Sequence, residues 1–287
     1  MSLYRKSVLC VLLGMLVCVF ALPGAPAEQQ DGVSALFINV GKADAALLFL
    51  GDQRFLIDTG TKDSYDALEQ ALSFYGVKKL DGVLITHTDK DHVGGLKKLL
   101  KDGTEVSMLY AGALHSEPGN EEHPVYEASE KYGVPIRWLS AGDAVDLENG
   151  CVFQVLGPLS RDAENENNNS LVLDLQTPEG NILLTGDMEL EEEAELMERG
   201  MIPNAAVLKV AHHGEDDATS KAFVLSVKPQ WAVISTSTAE EPDTPDSKIM
   251  SRLWEIKAGV AVTQTAEVGI LVHLKKGTAS AESVNLN

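Results

Sequence analysis

Thr86-His87-Thr88-Asp89-Lys90-Asp91-His92-Val93-Gly94-Gly95 follows directly on the apolar run Gly82-Val83-Leu84-Ile85. Two imidazoles and two carboxylates therefore fall at the end of a predicted strand. An extended chain turns alternate residues to one side, which aims His87, Asp89 and Asp91 together and sets His92 beside them. Val93 to Leu100 reads as the next helix, and the glycine pair lets backbone pack closely where ligands crowd. A hydrophilic turn with a helix cap accounts for one aspartate but not for four ligand-type residues, so the stretch reads as a nest for a divalent cation.

The surrounding chain supplies many short strands. Leu36-Phe37-Ile38-Asn39-Val40, Ala46-Leu47-Leu48-Phe49-Leu50 and Phe55-Leu56-Ile57 are closely spaced apolar runs separated by Gly-Lys and Gly-Asp-Gln turns, the pattern of consecutive paired strands. Residues 65–75 carry apolar side chains at helical spacing and stop at Gly76. Further strands are predicted at 108–110, 136–138, 152–156, 171–175, 182–184, 206–210, 231–234 and 269–274, and helices at 124–132, 190–199, 220–227 and 247–258. Strands come in clusters with helices between them. That favours an α/β fold of two stacked sheets covered outside by helices, because several connections are too short for the crossovers of one doubly wound sheet.

Composition narrows the function. The chain has 287 residues, 44% of them hydrophobic, and 43 acidic against 23 basic side chains, a net charge of −20. This is a globular composition, not that of a disordered, collagenous or disulfide-framework protein. Its average surface repels polyanions, so contact with nucleic acid has to be local and metal-assisted. Arg5 and Lys6 precede a charge-free run at 8–22 and then Ala25-Pro26-Ala27, which reads as a secretory signal over 1–27, cleaved to leave no stable membrane span. The expected location is secreted or periplasmic. Residues 28–275 read as one hydrolase domain and 276–287 as a flexible tail, with no protein partner predicted. Cys10 and Cys18 leave with the signal; Cys151, alone in an apolar stretch, is expected to be a buried hydrophobe.

At this point the sequence resembles the metallo-β-lactamase superfamily, whose His-x-His-x-Asp-His signature stands here as His87-x-Asp89-x-Asp91-His92. The aspartate in second place is the form of the branch related to the hydrolase domain of ComEC competence proteins. Other landmarks of that branch follow in order. Asn39-Val-Gly-Lys-Ala-Asp-Ala45 is similar to its opening Val-Gly-Gln-Gly-Asp-Ala element. Ile57-Asp-Thr-Gly60, Asn167-Asn-Asn-Ser-Leu-Val172, Leu184-Thr-Gly-Asp187 and Leu208-Lys-Val-Ala-His-His-Gly214 complete the series. The resemblance implies a four-layer αβ/βα sandwich with the metal site along the edge where the sheets meet.

Residue roles follow from ligand chemistry and from this resemblance. His87 and Asp89 are expected to hold one metal and Asp91 and His92 another, with Asp187 bridging; such a pair, roughly 3.5 to 4 Å apart, generates hydroxide at neutral pH and clamps a phosphoryl oxygen. Asp91, His212 and His213 are the expected catalytic set. Adjacent residues on an extended backbone point to opposite faces, so one imidazole of His212 and His213 is expected at the metals. Asp58 is expected to orient the histidine loop, with Asp44 in a similar part or touching substrate. Asn168, Asn169 and Ser170 are candidates to orient substrate, or else form a turn.

Three departures from the pattern stand out: Lys42-Ala43 for Gln-Gly, Glu215 for Ser after His-His-Gly, and Glu240-Glu-Pro-Asp-Thr-Pro245 where a Gly-His-Pro segment supplies the last histidine. Thr244 falls at that histidine, which leaves Asp243 or water for the second metal. The expected activity is hydrolysis of an ester by hydroxide bridging one or two divalent ions, zinc or manganese. A phosphodiester is the first substrate, either single-stranded DNA or a smaller phosphoester. A β-lactam or lactone is the enzymatic alternative, and a degenerate, non-catalytic binding protein the other. Two further readings concern surfaces. Helix 190–199 is expected to turn its acids to solvent and bury Leu190, Ala194 and Met197, and His115 and His123 are expected in a solvent-facing loop.

Overall fold

The structure, a computed structural model, describes residues 32–113 and 123–286. The expected signal at 1–27 and His115 lie outside them. The first half runs β1 (Val33–Ile38), β2 (Ala46–Leu50), β3 (Gln53–Ile57), α1 (Tyr65–Phe74), β4 (Lys79–Leu80), β5 (Gly82–Ile85), α2 (Lys90–Val93), α3 (Leu96–Lys101), β6 (Glu105–Val106), β7 (Leu109–Gly112), α4 (Pro124–Tyr132) and β8 (Ile136–Leu139). The second half continues with β9 (Ala144–Asp146), β10 (Val152–Gly157), β11 (Val172–Thr177), β12 (Gly180–Leu184), α5 (Leu190–Glu198), β13 (Val207–Lys209), α6 (Lys221–Val227), β14 (Trp231–Ile234), α7 (Ser247–Glu255), β15 (Gly259–Val262), β16 (Gly269–Lys275) and β17 (Thr278–Val284).

Among the described residues these strands form an eight-stranded sheet in the order β17-β16-β1-β2-β3-β5-β7-β8 and a seven-stranded sheet in the order β15-β14-β13-β12-β11-β10-β9, with β4 and β6 as a separate parallel pair. Each sheet is antiparallel on one side and becomes parallel where helices enter the connections, at β3 to β5 and at β12 to β13. The side chains show why two sheets form. Ala35, Phe37, Leu48, Leu84, Leu173 and Leu184 fill the space between the sheets. Their strand neighbours Leu36, Leu47 and Val83 face the helices α1, α3 and α4, and Val172 and Leu183 face α5, α6 and α7. Every central strand thus buries both faces, and the result is the expected four-layer αβ/βα sandwich.

Several expectations need correction. The segment expected to be a flexible tail carries β17, paired residue by residue with β16 from Gly269↔Val284 to Lys275↔Thr278. Its alternation is weak because it is an edge strand that turns only one small face, with Ala279, to the core. The helix expected from Val93 divides into α2 and α3 at Gly94-Gly95, where a side chain at Gly95 would run into the carbonyl oxygen of Thr59. On α5 the buried face is Glu192, Glu193 and Leu196, while Leu190 is 41% exposed. The acids are inside because they have local tasks or neighbours: Glu193 accepts the N–H of Ser220, the cap of α6, and Glu192 lies against Gly157 and Leu196. Burial, reinforced by Glu195, pushes the Glu192 carboxyl well above the ordinary range. His123 is buried, not solvent-facing: it caps α4 and meets Trp138 edge to face. Cys151 is a free, buried thiol, as expected.

Candidate metal centre

Asp58, His87, Asp187 and His213 all follow the C-terminal ends of parallel strands, β3, β5, β12 and β13 respectively. Open α/β sheets collect ligands in that crevice, because the chain leaves each strand there in the same direction. The histidine loop does not stay extended past His87. The chain turns into α2 directly after Asp89, so Asp91 and His92 project from a helical turn, and the simple alternation expected of this stretch does not hold. His87 and His92 still meet, with ring centroids 4.0 Å apart.

Four side chains converge. One ligand atom from each of Asp91, His92, Asp187 and His213 lies within 4.8 Å of the others. His92 Nε2 and His213 Nε2 are each 3.1 Å from Asp187 Oδ2, and His213 Nε2 is 3.3 Å from Asp91 Oδ2. Ligands about 2.0 to 2.1 Å from a tetrahedral ion stand about 3.3 Å apart, so this spacing fits a cation. His87 and Asp89 lie outside this foursome and 3.9 Å from each other, with Asp89 half exposed.

The hydrogen bonds give the stronger argument for fit. Each imidazole is fixed through Nδ1: His92 donates to Asp58 Oδ2 at 2.9 Å, His213 donates to the Ser235 carbonyl at 2.9 Å, and His87 Nδ1 lies 3.2 to 3.3 Å from the hydroxyls of Thr86 and Ser170. The three Nε2 atoms are buried and none makes a well-directed hydrogen bond; those of His92 and His213 face only the carboxylates of Asp187 and Asp91. Buried polar atoms are almost always satisfied, and anchored Nδ1 with bare Nε2 is how a metal-binding histidine is held. Asp58 is itself held by the Thr86 N–H and hydroxyl, both at 2.8 Å, and adopts a left-handed backbone at φ 58. Such strain in a non-glycine residue persists only where the surroundings enforce it.

The charges are tightly matched. Burial opposes charge on His92 and His213, yet the facing carboxylates outweigh it. Asp187 and Asp58 hold His92 well above its ordinary range, and Asp187 with Asp91 holds His213 at about 9. His87 moves the other way, well below its usual value, through burial and the nearby His92 charge. Against the cost of its burial, Asp91 is held at about 2, chiefly by His213 and His92. A divalent cation held by these four side chains would take the place of the imidazole protons.

This linkage fixes a pH dependence. His213 titrates from its usual 6.5 to about 9 on folding. Its contribution to the chelated protein is fully present below pH 6.5 and is lost as pH rises through 9. Thermal denaturation in EDTA is expected to show stability falling across that window, and added Zn²⁺ or Mn²⁺ to restore it. Competition with a chromophoric chelator is expected to show metal affinity rising about tenfold per pH unit for each proton displaced.

The two adjacent histidines separate. His213 is 1% exposed and joins the foursome. His212 sits in a different group, donating from Nδ1 to Asp217 at 2.9 Å with Glu189 Oε1 at 3.7 Å and Asn167 beside its Nε2. It belongs to a second group, with Glu189 and Asp217, whose ligand atoms also lie within 4.8 Å of one another, which leaves His213 as the one imidazole of the pair at the Asp187 cluster. The reason is also not strand alternation: both residues have left-handed backbones, φ 44 and φ 53, in a short helical turn after β13. His213→Ala is expected to lose bound metal measured by plasma emission, whereas His212→Ala retains it.

Asn168 and Asn169 do not reach the foursome either. Asn168 donates to Asp162, and Asn169 both accepts from and donates to the Asp162 backbone, so these amides build the turn that precedes β11. Ser170 is closer, accepting the Asp187 N–H at 3.0 Å, and so positions a ligand-bearing loop. Thr244 is buried against Thr236 and Asp243 is exposed.

Asp44 is occupied by a residue that sequence reasoning missed. Lys209, fully buried at the end of β13, contacts Asp44 Oδ2, stands 3.6 Å from Asp187 Oδ1 and donates to the Gly186 carbonyl at 3.1 Å. The signal was present in the sequence: a lone cation in the apolar run from Ala205 to Ala211 demands a buried anion.

A model of the metallo-beta-lactamase superfamily matches residues 38–237. The chain is similar to ComE operon protein 3 of Bacillus subtilis (strain 168), 32% identical over 267 residues that cover 86% of this chain and 34% of that protein. It is also similar to competence protein ComA of Neisseria gonorrhoeae, 27% identical over 233 residues, 80% of this chain and 30% of that one. The chain spans about a third of the length of these curated relatives. Among solved structures, the metallo-beta-lactamase fold protein YhfI of Bacillus subtilis superposes with a TM-score of 0.56 at 10% identity, over 87% of this chain and all of that one. At that identity the likeness is one of fold.

Proposed function

The chain belongs to the metallo-β-lactamase superfamily, and from that premise we propose that it is a metal-dependent phosphodiesterase acting outside the cytoplasm. The observation that carries this reading is the convergence of Asp91, His92, Asp187 and His213 with bare, buried Nε2 atoms turned inward. Two imidazoles and two carboxylates form a mixed nitrogen and oxygen donor set suited to Zn²⁺ or Mn²⁺. His87 and Asp89 stand beside it as the seat of a second ion. Bound divalent ions supply a water nucleophile at neutral pH and polarise a phosphoryl oxygen.

The protein's own groups do the rest. Asp58 and the Ser235 carbonyl keep the Nδ1 protons in place, so that the Nε2 lone pairs face inward. Lys209 offsets the charge of Asp44 and Asp187 in a buried setting. Asp91, the most exposed of the four ligands at 31%, marks the side from which a substrate enters. The ComEC-type resemblance of the motif series, with the similarity to ComE operon protein 3 and to a competence protein, supports a phosphodiester over a β-lactam. The extracytoplasmic location rests on the charge-free run at 8–22 and the Ala25-Pro26-Ala27 site. No helix among the described residues is long and apolar enough to cross a membrane.

The test is the purified protein with Zn²⁺ or Mn²⁺ against bis(p-nitrophenyl) phosphate, single-stranded DNA and a chromogenic cephalosporin. Chelator-sensitive release of p-nitrophenol is expected. Turnover of the cephalosporin alone would replace the phosphodiesterase reading with the lactamase one. Fewer than one metal per chain and no turnover of any ester would leave a non-catalytic binding protein.

A further inference from the structure

Three loops far apart in sequence meet at the open side of the metal cluster. The loop after β1 brings Lys42, the loop after β13 brings Glu215, and the loop after β14 brings Glu240 and Glu241. Lys42 Nζ lies 2.5 Å from Glu215 Oε1 and 3.9 Å from Glu241 Oε2, and the Lys42 N–H donates to Glu240 Oε2 at 3.3 Å. The same loop is tied to the cluster, because the Asp44 N–H donates to the Asp91 carbonyl at 3.1 Å. Gly41 takes a left-handed backbone, φ +81, and packs against the Glu240 carboxylate. Glu215 also stands 3.9 Å from His212 Nε2, which joins it to the Glu189 and Asp217 group.

These are the very positions at which the sequence departs from the pattern it resembles: Lys42, Glu215 and the Glu240-Glu241 segment. Separately each departure looks like decay; together they make one ion cluster. Since β1 belongs to one sheet and β13 and β14 to the other, the cluster straps the seam in which the metal ligands lie.

We propose that this strap restricts the site to compact phosphodiesters and excludes polynucleotides, a specificity that rests on the phosphodiesterase reading above. Lys42 is already neutralised by Glu215 and Glu241, so it cannot serve as a free anchor for a phosphate chain. The remaining carboxylates, Glu240, Asp217 and Glu189 among them, oppose each further phosphate that a longer substrate carries past the site. A single phosphodiester needs only the cluster itself.

The experiment compares wild type with the triple variant Glu215→Ser, Glu240→Gln, Glu241→Gln. The strap residues are partly exposed, and such pairs contribute little to stability, so the variant is expected to fold. Anisotropy of a short fluorescein-labelled oligothymidylate at low salt reads the strap without turnover. The variant is expected to bind at least about tenfold more tightly, with the gain vanishing at high salt. The ratio of kcat/KM for single-stranded DNA to that for bis(p-nitrophenyl) phosphate is expected to rise by a similar factor, through KM for DNA. Oligonucleotide binding that is no tighter in the variant overturns the proposal. If anisotropy shifts while no phosphodiester is hydrolysed with any metal, the strap stands and the phosphodiesterase reading fails. If bis(p-nitrophenyl) phosphate is hydrolysed and anisotropy does not move, the reverse holds.

Discussion

Asp187→Asn is expected to strip the protein of its metal and to lower hydrolysis of bis(p-nitrophenyl) phosphate by more than about 100-fold, since even a hydrogen-bond partner of a metal ligand costs 10- to 100-fold. The amide keeps the shape of the carboxylate but not its charge. Asp187 Oδ2 is the atom that His92 and His213 share at 3.1 Å, and Lys209 stands 3.6 Å from the other oxygen. Three cationic or metal-binding groups thus lose one buried anion, which is the costly half of breaking a buried pair. Unfolding of the chelated variant by guanidinium chloride is expected to show a loss of about 3 to 5 kcal/mol. Full metal content in this variant, measured by plasma emission after dialysis, would remove Asp187 from the centre.

Lys209→Met is expected to have a comparable effect on stability with no ligand removed. Its ammonium lies at the end of β13, 5% exposed, between Asp44 and Asp187. Removing it leaves two carboxylates facing each other near Asp58 in the interior, at a cost of about 3 to 5 kcal/mol. Two results separate this account from a simple packing defect. Asp44→Asn in the Lys209→Met background is expected to recover part of the loss, because the residues are in contact and their effects are not additive. Metal is expected to rescue the variant more than it stabilises wild type, because the ion supplies the missing positive charge. Equal destabilisation in the presence and absence of metal would speak against an electrostatic role.

The pairing of Lys209 with Asp44 shows where sequence reading stopped. From the sequence alone Asp44 reads as an orienting or substrate-contacting carboxylate, because carboxylates near a metal motif commonly do one or the other. The buried lysine that settles its task sits 165 positions later, and no local pattern links the two. The Lys42 and Glu215 pair is similar: each position looked like a lapse from a pattern until the fold brought them within 2.5 Å. On α5 the helical period holds but the buried face differs from the expected one, because Glu192 and Glu193 are more polar than Leu190 yet lie toward the sheet. Periodicity ranks faces by polarity; it cannot weigh a carboxylate that accepts the Ser220 N–H.

The sandwich, the strand ends that carry the ligands and the central motif from His87 to His92 are legible in the residues alone. These depend on apolar runs and short-range spacing, and hydrophobic burial follows such patterns over a few residues. Tertiary structure alone decided which of His212 and His213 faces Asp187, that Asn168 and Asn169 serve a turn, and that Lys209 and Lys42 have carboxylate partners. Those outcomes depend on directions and distances between loops of different sheets, where one backbone angle or one facing charge reverses a side chain's role.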